Sequence, residues 1–235
     1  MFCIASSHQG DCAASASKAK DKKYAEIIIW DLRKGQTSVP SCKLSAHNLT
    51  VVQLEFSKCD QFLLSCSRDR SWALFKRNGP DDLQFTLYKK QKDAHSRIIW
   101  GINWSHDDVF FATASREKQK SVKVWQGISP DKSIGELYSE LPEENPSATA
   151  VRFFPNLIQK DNAYGLIVGL ETGDMNIWSH LLSDKSWTKF YSIPCYLTHC
   201  LAVRRIKFNT RYSHEAGKDS YMIASCSDDH SVRLF

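Results

Sequence analysis

Short runs in which apolar and polar residues alternate recur along this chain, and each run ends at a large aromatic residue. The closing aromatics are Trp30, Phe75, Trp125, Trp178 and Phe235, at steps of 45, 50, 53 and 57 residues. Alternation with a period of two is typical of a half-buried β-strand, and a repeat of about 40 to 50 residues is typical of propeller blades. The pattern therefore predicts an all-β repeat protein whose differences in repeat length lie in loops.

Each repeat predicts more than one strand. A His stands nine residues before an aromatic residue in three segments, 46–56, 94–104 and 198–208, and a strand rich in small residues follows each of them. Candidate fourth strands lie between the repeats. The sequence thus predicts a β-propeller of about five four-stranded blades, in units at about 2–31, 46–76, 94–126, 147–179 and 198–235.

Other fold and site classes find little support in the sequence. No segment has a 3.6-residue apolar period, and the longest apolar runs are too short to cross a bilayer. Met1 leads directly into a predicted strand, without the pattern of a signal peptide. The eight cysteines form no CxxC pair, and His199 and Cys200, adjacent on a strand, point to opposite faces. We therefore expect an intracellular protein with no metal, no cofactor and no membrane contact.

Polar residues also recur at matching positions of three repeats. They are His47, Ser65 and Asp69 in the second unit, His95, Thr113 and Trp125 in the third, and His199, Ser225 and Asp229 in the fifth. This pattern resembles that of WD repeats, and the resemblance implies a buried hydrogen-bonded tetrad of His, Ser or Thr, Asp and Trp in each blade. Phe75 and Phe235 stand in the Trp position, and a phenyl ring cannot donate the indole hydrogen bond.

A recurring His, Ser and Asp also raises the question of nucleophilic catalysis. Catalysis requires one exposed constellation beside an oxyanion site, whereas these residues occur in three copies at framework positions. No glycine-rich phosphate loop, nucleophile elbow or zinc-binding HExxH motif accompanies them. The sequence therefore favours structural networks and predicts that the protein is not an enzyme.

Four segments carry a narrower resemblance, and they lie at 18–32, 47–77, 94–105 and 224–235. They resemble the C-terminal part of the Elongator complex subunit 2 family, whose members contain two seven-bladed propellers. The resemblance extends nearly from end to end and is weakest in the fourth unit. It implies that the chain holds about five blades of a partial, truncated seven-bladed propeller, as a fragment, a truncated gene model or a shortened isoform. A compact five-bladed ring is the alternative.

The resemblance also implies a function. Subunits of this family are scaffolds of an assembly that modifies the C5 position of wobble uridine in tRNA, and they contact the largest subunit and the catalytic subunit. The implied location is the cytoplasm, with additional presence in the nucleus. The WD pattern alone leaves open a second function, a generic adaptor that binds peptides or signalling proteins at the central channel.

Charge adds a weaker indication of partners. Lys and Arg number 31 against 26 Asp and Glu, and four lysines, Lys18, Lys20, Lys22 and Lys23, cluster in the first unit. This cluster is a candidate contact for a partner or for tRNA, because lysines can bind a phosphate backbone. The favoured alternative is that lysines in turns keep the protein soluble and prevent edge pairing. Trp72 and Trp187 are candidate exposed contact residues, with burial as the alternative.

Overall fold

The computed structural model describes residues 2–18, 25–33, 39–142, 146–157, 163–183, 186–209, 213–215 and 218–235. Within these ranges every regular element is a β-strand, in four sheets of four strands, one sheet of three strands and one hairpin. The described residues include no helix that could cross a membrane. The all-β propeller fold with five blades is thus confirmed, and the reading as part of a seven-bladed ring stays a prediction.

The strands follow the chain in order. The first sheet contains β1 (Cys3–Ser6), β2 (Cys12–Ala16), β3 (Ala25–Asp31) and β4 (Val39–His47). The second contains β5 (Val51–Phe56), β6 (Phe62–Ser67), β7 (Trp72–Arg77) and β8 (Phe85–Gln91). The third contains β9 (Ile99–Trp104), β10 (Phe110–Ser115), β11 (Val122–Gln126) and β12 (Leu137–Glu140). The fourth contains β13 (Ala148–Phe153), β14 (Tyr164–Leu170), β15 (Met175–His180) and β16 (Trp187–Ile193).

The fifth sheet differs from the other four. It contains β17 (Val203–Phe208), β20 (Ile223–Ser227) and β21 (Val232–Leu234), and the hairpin of β18 (Ser213–Glu215) and β19 (Lys218–Ser220) is inserted between its first two strands. In every sheet each strand pairs antiparallel with the next strand of that sheet along the chain. Each blade is therefore a simple meander, and matching positions in different blades have matching surroundings.

Burial explains the composition of the second strands. Every residue of β6, β10 and β14 is buried, because these strands have a neighbour on each side within the sheet and another sheet against each face. Small residues such as Ala112 and Ala114 suit this position, since two sheets approach closely there. A similar closeness brings β9 against β13, where a Cβ on Gly101 would lie 3.1 Å from the backbone nitrogen of Val151. The small-residue strands of the sequence are thus the centres of the blades.

Four apolar clusters join the sheets in sequence, first to second, second to third, third to fourth and fourth to fifth. Among the residues that the structure describes, no such cluster joins the fifth sheet to the first. Trp72 and Trp187 are buried, as the alternative to exposed contact residues predicted, and their exposed fractions are 0% and 4%. The Trp72 ring lies between the second and third sheets, 5.1 Å from Phe111 and 5.2 Å from Trp125 between ring centroids.

Candidate functional site

The polar residues predicted in the second unit lie together in one buried network. Nε2 of His47 is 2.8 Å from the hydroxyl oxygen of Ser65, and Nδ1 is 3.2 Å from a carboxylate oxygen of Asp69. The same carboxylate accepts the backbone N–H of Asn48, the residue after the His, at 3.0 Å. Ser65 donates to the carbonyl of Ala73 on β7. The network thus ties the loop before β5 to β6 and to the turn after it.

The third unit contains all four members, with Glu117 in the Asp position. Nε2 of His95 lies 2.7 Å from the Thr113 hydroxyl, and the Trp125 indole donates to the same hydroxyl at 2.9 Å. Nδ1 of His95 lies 3.2 Å from Glu117, which also accepts the backbone N–H of Ser96. A neutral His95 can therefore donate to Glu117 and accept from Thr113. The longer Glu side chain fills the place of Asp with the same contacts.

The fifth unit repeats the geometry of the second. His199 lies 2.8 Å from Ser225 and 3.0 Å from Asp229, and Asp229 accepts the backbone N–H of Cys200 at 3.0 Å. Phe75 and Phe235 leave these two networks without an indole donor. The structure thus brings together every residue that the sequence predicted for the three networks.

Sequence reasoning missed one member of two networks. Ser71 lies 3.0 Å from Nδ1 of His47 and donates to Asp69 at 2.5 Å. Ser231 lies 3.0 Å from Nδ1 of His199 and donates to Asp229 at 2.7 Å. A Ser two residues after the Asp in both repeats was the available signal. In the third unit the turn is longer, and the buried hydroxyl of Ser121 has no hydrogen-bond partner.

The first and fourth units, in which no such His was found, keep parts of the same arrangement. In the first blade the Trp30 indole donates to the Ser15 hydroxyl at 2.8 Å, as Trp125 does to Thr113. In the fourth blade Val168 stands in the position of Thr113, because Trp178 pairs with Leu166 and Val168 is two residues further along β14. The buried indole nitrogen of Trp178 consequently has no hydrogen-bond partner.

The networks hold their carboxylates in the charged form. Although burial raises the pKa of Glu117, the hydrogen bond from His95 and the hydrogen bonds from Ser96 lower it to about 2. Burial likewise opposes the shift at Asp69, where hydrogen bonds from His47 and Ser71 hold the pKa well below its usual range. Burial lowers the pKa of His95 despite the neighbouring Glu117. An ionised carboxylate beside a neutral imidazole is therefore the state of the third network at neutral pH.

This geometry suits a structural role. His47, His95 and His199 are at most 1% exposed, so a substrate could reach none of these imidazoles without local unfolding. No group of three or more His, Cys, Asp or Glu side chains in the described ranges could hold a metal ion. The networks therefore tie the loops that carry the His residues to the strands beneath them.

A second set of carboxylates joins neighbouring blades. Asp60, in the turn after β5, accepts the backbone N–H groups of His8 and Gln9 from the first blade, both at 2.8 Å. Asp108, in the turn after β9, accepts those of Lys58 and Cys59 from the second blade, at 2.7 and 2.9 Å. Both Asp residues are buried and have positive φ, which Asp tolerates better than most residues. We call these pairs of bonds the blade latches.

Polar side chains also meet where the first strands of the blades surround the channel. Arg152 on β13 donates to Glu55 on β5 at 2.6 Å, and Asn103 on β9 donates to the same carboxylate at 2.9 Å. Arg205 on β17 donates to the carbonyls of Val52 and Trp100 at 3.1 and 3.4 Å. Side chains from four blades thus converge on the channel.

Only one member of the predicted lysine cluster lies in the described ranges. Lys18 is exposed after β2, which is compatible with a surface contact. Lys20, Lys22 and Lys23 lie outside the described residues. The candidate contact for a partner or tRNA at this cluster therefore stays a prediction.

Comparison with known proteins gives a consistent result. The family model described as WD domain, G-beta repeat, matches residues 38–76 and 86–126. The chain is similar over its whole length to Elongator complex protein 2 of Danio rerio, at 33% identity, of Dictyostelium discoideum, at 34%, and of Homo sapiens, at 31%. It spans 31%, 26% and 30% of the length of these relatives. The similarity thus covers all of this chain and about three tenths of each relative.

Proposed function

Because this chain is a WD-repeat protein related over its whole length to a part of Elongator complex protein 2, we propose that it is a non-catalytic scaffold subunit of an Elongator complex. The observation that carries the proposal is the similarity of the complete chain to relatives of that name from animals and an amoeba. The burial of the three networks supports it, because His47, His95 and His199 are at most 1% exposed and suit a structural role.

In this role the chain contributes to modification of the C5 position of wobble uridine in tRNA through contacts with other proteins. Its partners are the largest subunit and the catalytic subunit, and direct contact with tRNA is weak and confined to lysine-rich loops. The protein acts in the cytoplasm and is also present in the nucleus. A rigid propeller suits this task, because its loops and channel present separate surfaces to different partners.

Affinity capture from the native cell extract tests the scaffold role. We expect the tagged chain to recover the other Elongator subunits, identified by mass spectrometry. Depletion of the chain should also lower the fraction of C5-modified wobble uridine, measured on hydrolysed tRNA by liquid chromatography and mass spectrometry. Recovery of unrelated signalling proteins alone, with unchanged wobble uridine, would instead support the generic adaptor.

A matched pair of variants tests the lysine cluster. One variant changes Lys18, Lys20, Lys22 and Lys23 to Glu, and the control changes four exposed lysines outside lysine-rich loops, namely Lys43, Lys76, Lys132 and Lys189. If the cluster is a contact, only the first variant loses Elongator subunits or loses binding to total tRNA in a gel-shift titration. Binding to tRNA should also weaken as salt rises, because counterions are released from the phosphates. Equal behaviour of the two variants would remove the cluster from the proposal.

A further inference from the structure

The outer strand of the fourth blade, β16, and the turns on either side of it carry a concentration of exposed apolar side chains. About a third of the exposed large apolar residues in the described ranges lie within residues 181–197. They are Leu181, Leu182, Phe190, Tyr191, Tyr196 and Leu197. Phe190 and Tyr196 are the most exposed of them, at 71% and 79%. We call these six residues the rim patch, because β16 lies at the outside of the propeller.

β16 also has one open side. It is the last strand of its sheet, in the order β13, β14, β15 and β16, and no strand in the part of the chain that the structure describes pairs with its outer side. An unpaired edge presents backbone N–H and C=O groups that can form hydrogen bonds with a strand of another chain. The rim patch therefore borders a row of backbone groups that can bind a further strand.

The other outer strands carry devices by which proteins prevent such pairing. β4 contains Pro40 and Lys43, β8 contains Lys89 and Lys90, and β12 has only four residues. Proline, lysine and short length each oppose the addition of another strand. β16 has seven residues and one lysine, Lys189, whose ammonium lies 5.2 Å from the centre of an indole ring of its own blade. β16 is thus the least protected of the four outer strands.

A bulge gives Phe190 its exposed position. The pairing of β15 with β16 shifts at this point, so Lys189 and Tyr191 have partner residues in β15 and Phe190 has none. A bulge bends its strand and re-aims a side chain. β4, β8 and β12 have the same bulge, and its extra residue in β8 is Tyr88, which packs against Phe62 with ring centroids 5.6 Å apart. Phe190 forms no such contact with a described ring, so its ring remains open to a partner.

The strand and its patch are complementary to a second copy of themselves. In an antiparallel pair of two β16 strands with a twofold axis at Phe190, Lys189 of one copy is opposite Tyr191 of the other. No like charges are therefore directly opposed, and an ammonium group lies beside an aromatic ring. The turn before β16 of one copy comes beside the turn after β16 of the other, and each turn carries two residues of the rim patch. Each apolar part of the patch thus meets an apolar part of the second copy.

We propose that the fourth blade is a self-association surface, at which two copies of this chain pair antiparallel through β16 and bury the rim patch. The inference goes beyond the proposed scaffold function, which concerns other proteins and does not require a second copy. The chemistry favours a second copy over an unrelated strand, because this edge itself supplies the apolar turns, the aromatic residues and the one cation in complementary order. Association through this edge ends at two copies, since each copy then covers the open side of the other.

Analytical ultracentrifugation of the purified full chain tests the proposal. One strand pair with its flanking turns is a small interface, so we expect reversible association with a dissociation constant of about 10 µM. The measured mass should therefore rise from 26.8 kDa in dilute solution toward twice that value at about 100 µM. Hydrogen exchange at the two concentrations should be slower in β16 at the higher one and unchanged in β8.

Two charge variants at the twofold axis provide the decisive comparison. Phe190→Glu and Phe190→Lys each place like charges opposite each other, so each variant alone should stay a single copy at about 100 µM. An equal mixture of the two should recover the dimer, because Glu then meets Lys across the axis. The matched control Tyr88→Glu makes the same change at the bulge of β8 and should leave the dimer unchanged. Thermal unfolding by circular dichroism checks that the variants are folded, and Thr86→Glu replaces Tyr88→Glu if the latter is not.

Several outcomes would overturn the proposal. One is a single-copy mass of the parent chain at the higher concentration, and another is a dimer that Phe190→Glu leaves intact or that Tyr88→Glu weakens equally. Failure of the mixture to recover the dimer would overturn the twofold pairing at Phe190. A single-copy chain whose β16 amides exchange more slowly only after addition of purified Elongator subunits would assign this edge to another protein. The dimer is measured on the chain alone, so the scaffold function and the self-association surface can fail separately.

Discussion

The Trp125 indole nitrogen lies 2.9 Å from the hydroxyl oxygen of Thr113, and this bond fixes the third strand of a blade to its second. The same hydroxyl lies 2.7 Å from His95, so one buried oxygen serves two ring nitrogens. Thr113 is thus the centre of the only described network that joins a His, a hydroxyl, a carboxylate and a Trp.

Removal of the Thr113 hydroxyl should lower the free energy of unfolding, because two ring nitrogens lose their hydrogen-bond partner. Thr113→Val keeps the shape of the side chain but leaves His95 and Trp125 without their partner in the protein interior. Each unsatisfied buried group costs about 1 to 3 kcal/mol, so we expect the free energy of unfolding to fall by about 2 to 4 kcal/mol. Urea denaturation measures this change. Thr113→Ser keeps the hydroxyl and should lose less, and equal losses in both variants would contradict the assigned role.

The fourth blade offers the opposite experiment. Val168 stands in the position of Thr113, and the buried indole of Trp178 has no partner. Val168→Thr supplies a hydroxyl at nearly the same volume, so we expect the free energy of unfolding to rise by about 1 kcal/mol. The same substitution at Val124, buried on β11, gives the control, because a hydroxyl without a known partner should destabilise there. A loss of stability in both variants would show that Trp178 cannot reach the new oxygen.

The blade latches predict a cost for losing one carboxylate between blades. Asp108→Gly removes the acceptor for two backbone N–H groups. Glycine adopts the positive φ of 62° without strain, so a loss of stability can be assigned to the lost hydrogen bonds and not to the backbone. We expect the free energy of unfolding to fall by about 2 to 4 kcal/mol. Asp93→Gly is the matched control, since Asp93 also has positive φ but is an exposed partner of Arg70. Thermal denaturation of both variants should show a clear loss for Asp108→Gly only.

Stability should fall in acid over a defined range of pH. The pKa of Glu117 is lowered in the folded chain to about 2 from its usual 4.5, so its contribution is present above 4.5 and is lost as pH falls toward 2. The pKa of His95 is also lowered, from 6.5, because burial disfavours the charged form. As pH falls, His95 therefore takes up a proton at a higher pH in the unfolded chain than in the folded chain. The free energy of unfolding consequently begins to fall below pH 6.5.

Denaturant unfolding between pH 7 and pH 3 measures this dependence. Glu117→Gln removes one carboxylate that titrates below its usual pKa, so its free energy of unfolding should change less with pH than that of the parent chain below 4.5. If the free energy of unfolding of the variant changes with pH as much as that of the parent chain, the acid dependence belongs instead to Asp69 and Asp229, whose pKa values are lowered as well.

The sequence was informative wherever one interaction recurs in several blades. His47, Ser65 and Asp69 could be found because the same residue types return at matching strand and turn positions of other repeats. Interactions that occur once lack this signal. Arg152 and Glu55 are 97 residues apart, and only the assembled blades bring them within 2.6 Å.

Alternation along a strand also cannot say what covers each face. Trp72 was a candidate exposed residue with burial as the alternative, and the third blade buries its ring completely. The latch residues were missed for a related reason. Asp60 and Asp108 are in turns, where Asp is common for local reasons, and their bonds to the preceding blade follow from the order of blades around the channel.

The series of apolar clusters has a consequence for how the molecule opens. The three inner blades each share two clusters, whereas the first and fifth share one each within the described residues. Amide hydrogens of β6, β10 and β14 should therefore exchange slowest with deuterated solvent, and those of β1 and β21 fastest. Local unfolding therefore begins at the first and fifth blades, while the three inner blades stay folded. The channel, which needs every blade, is lost before the inner blades unfold.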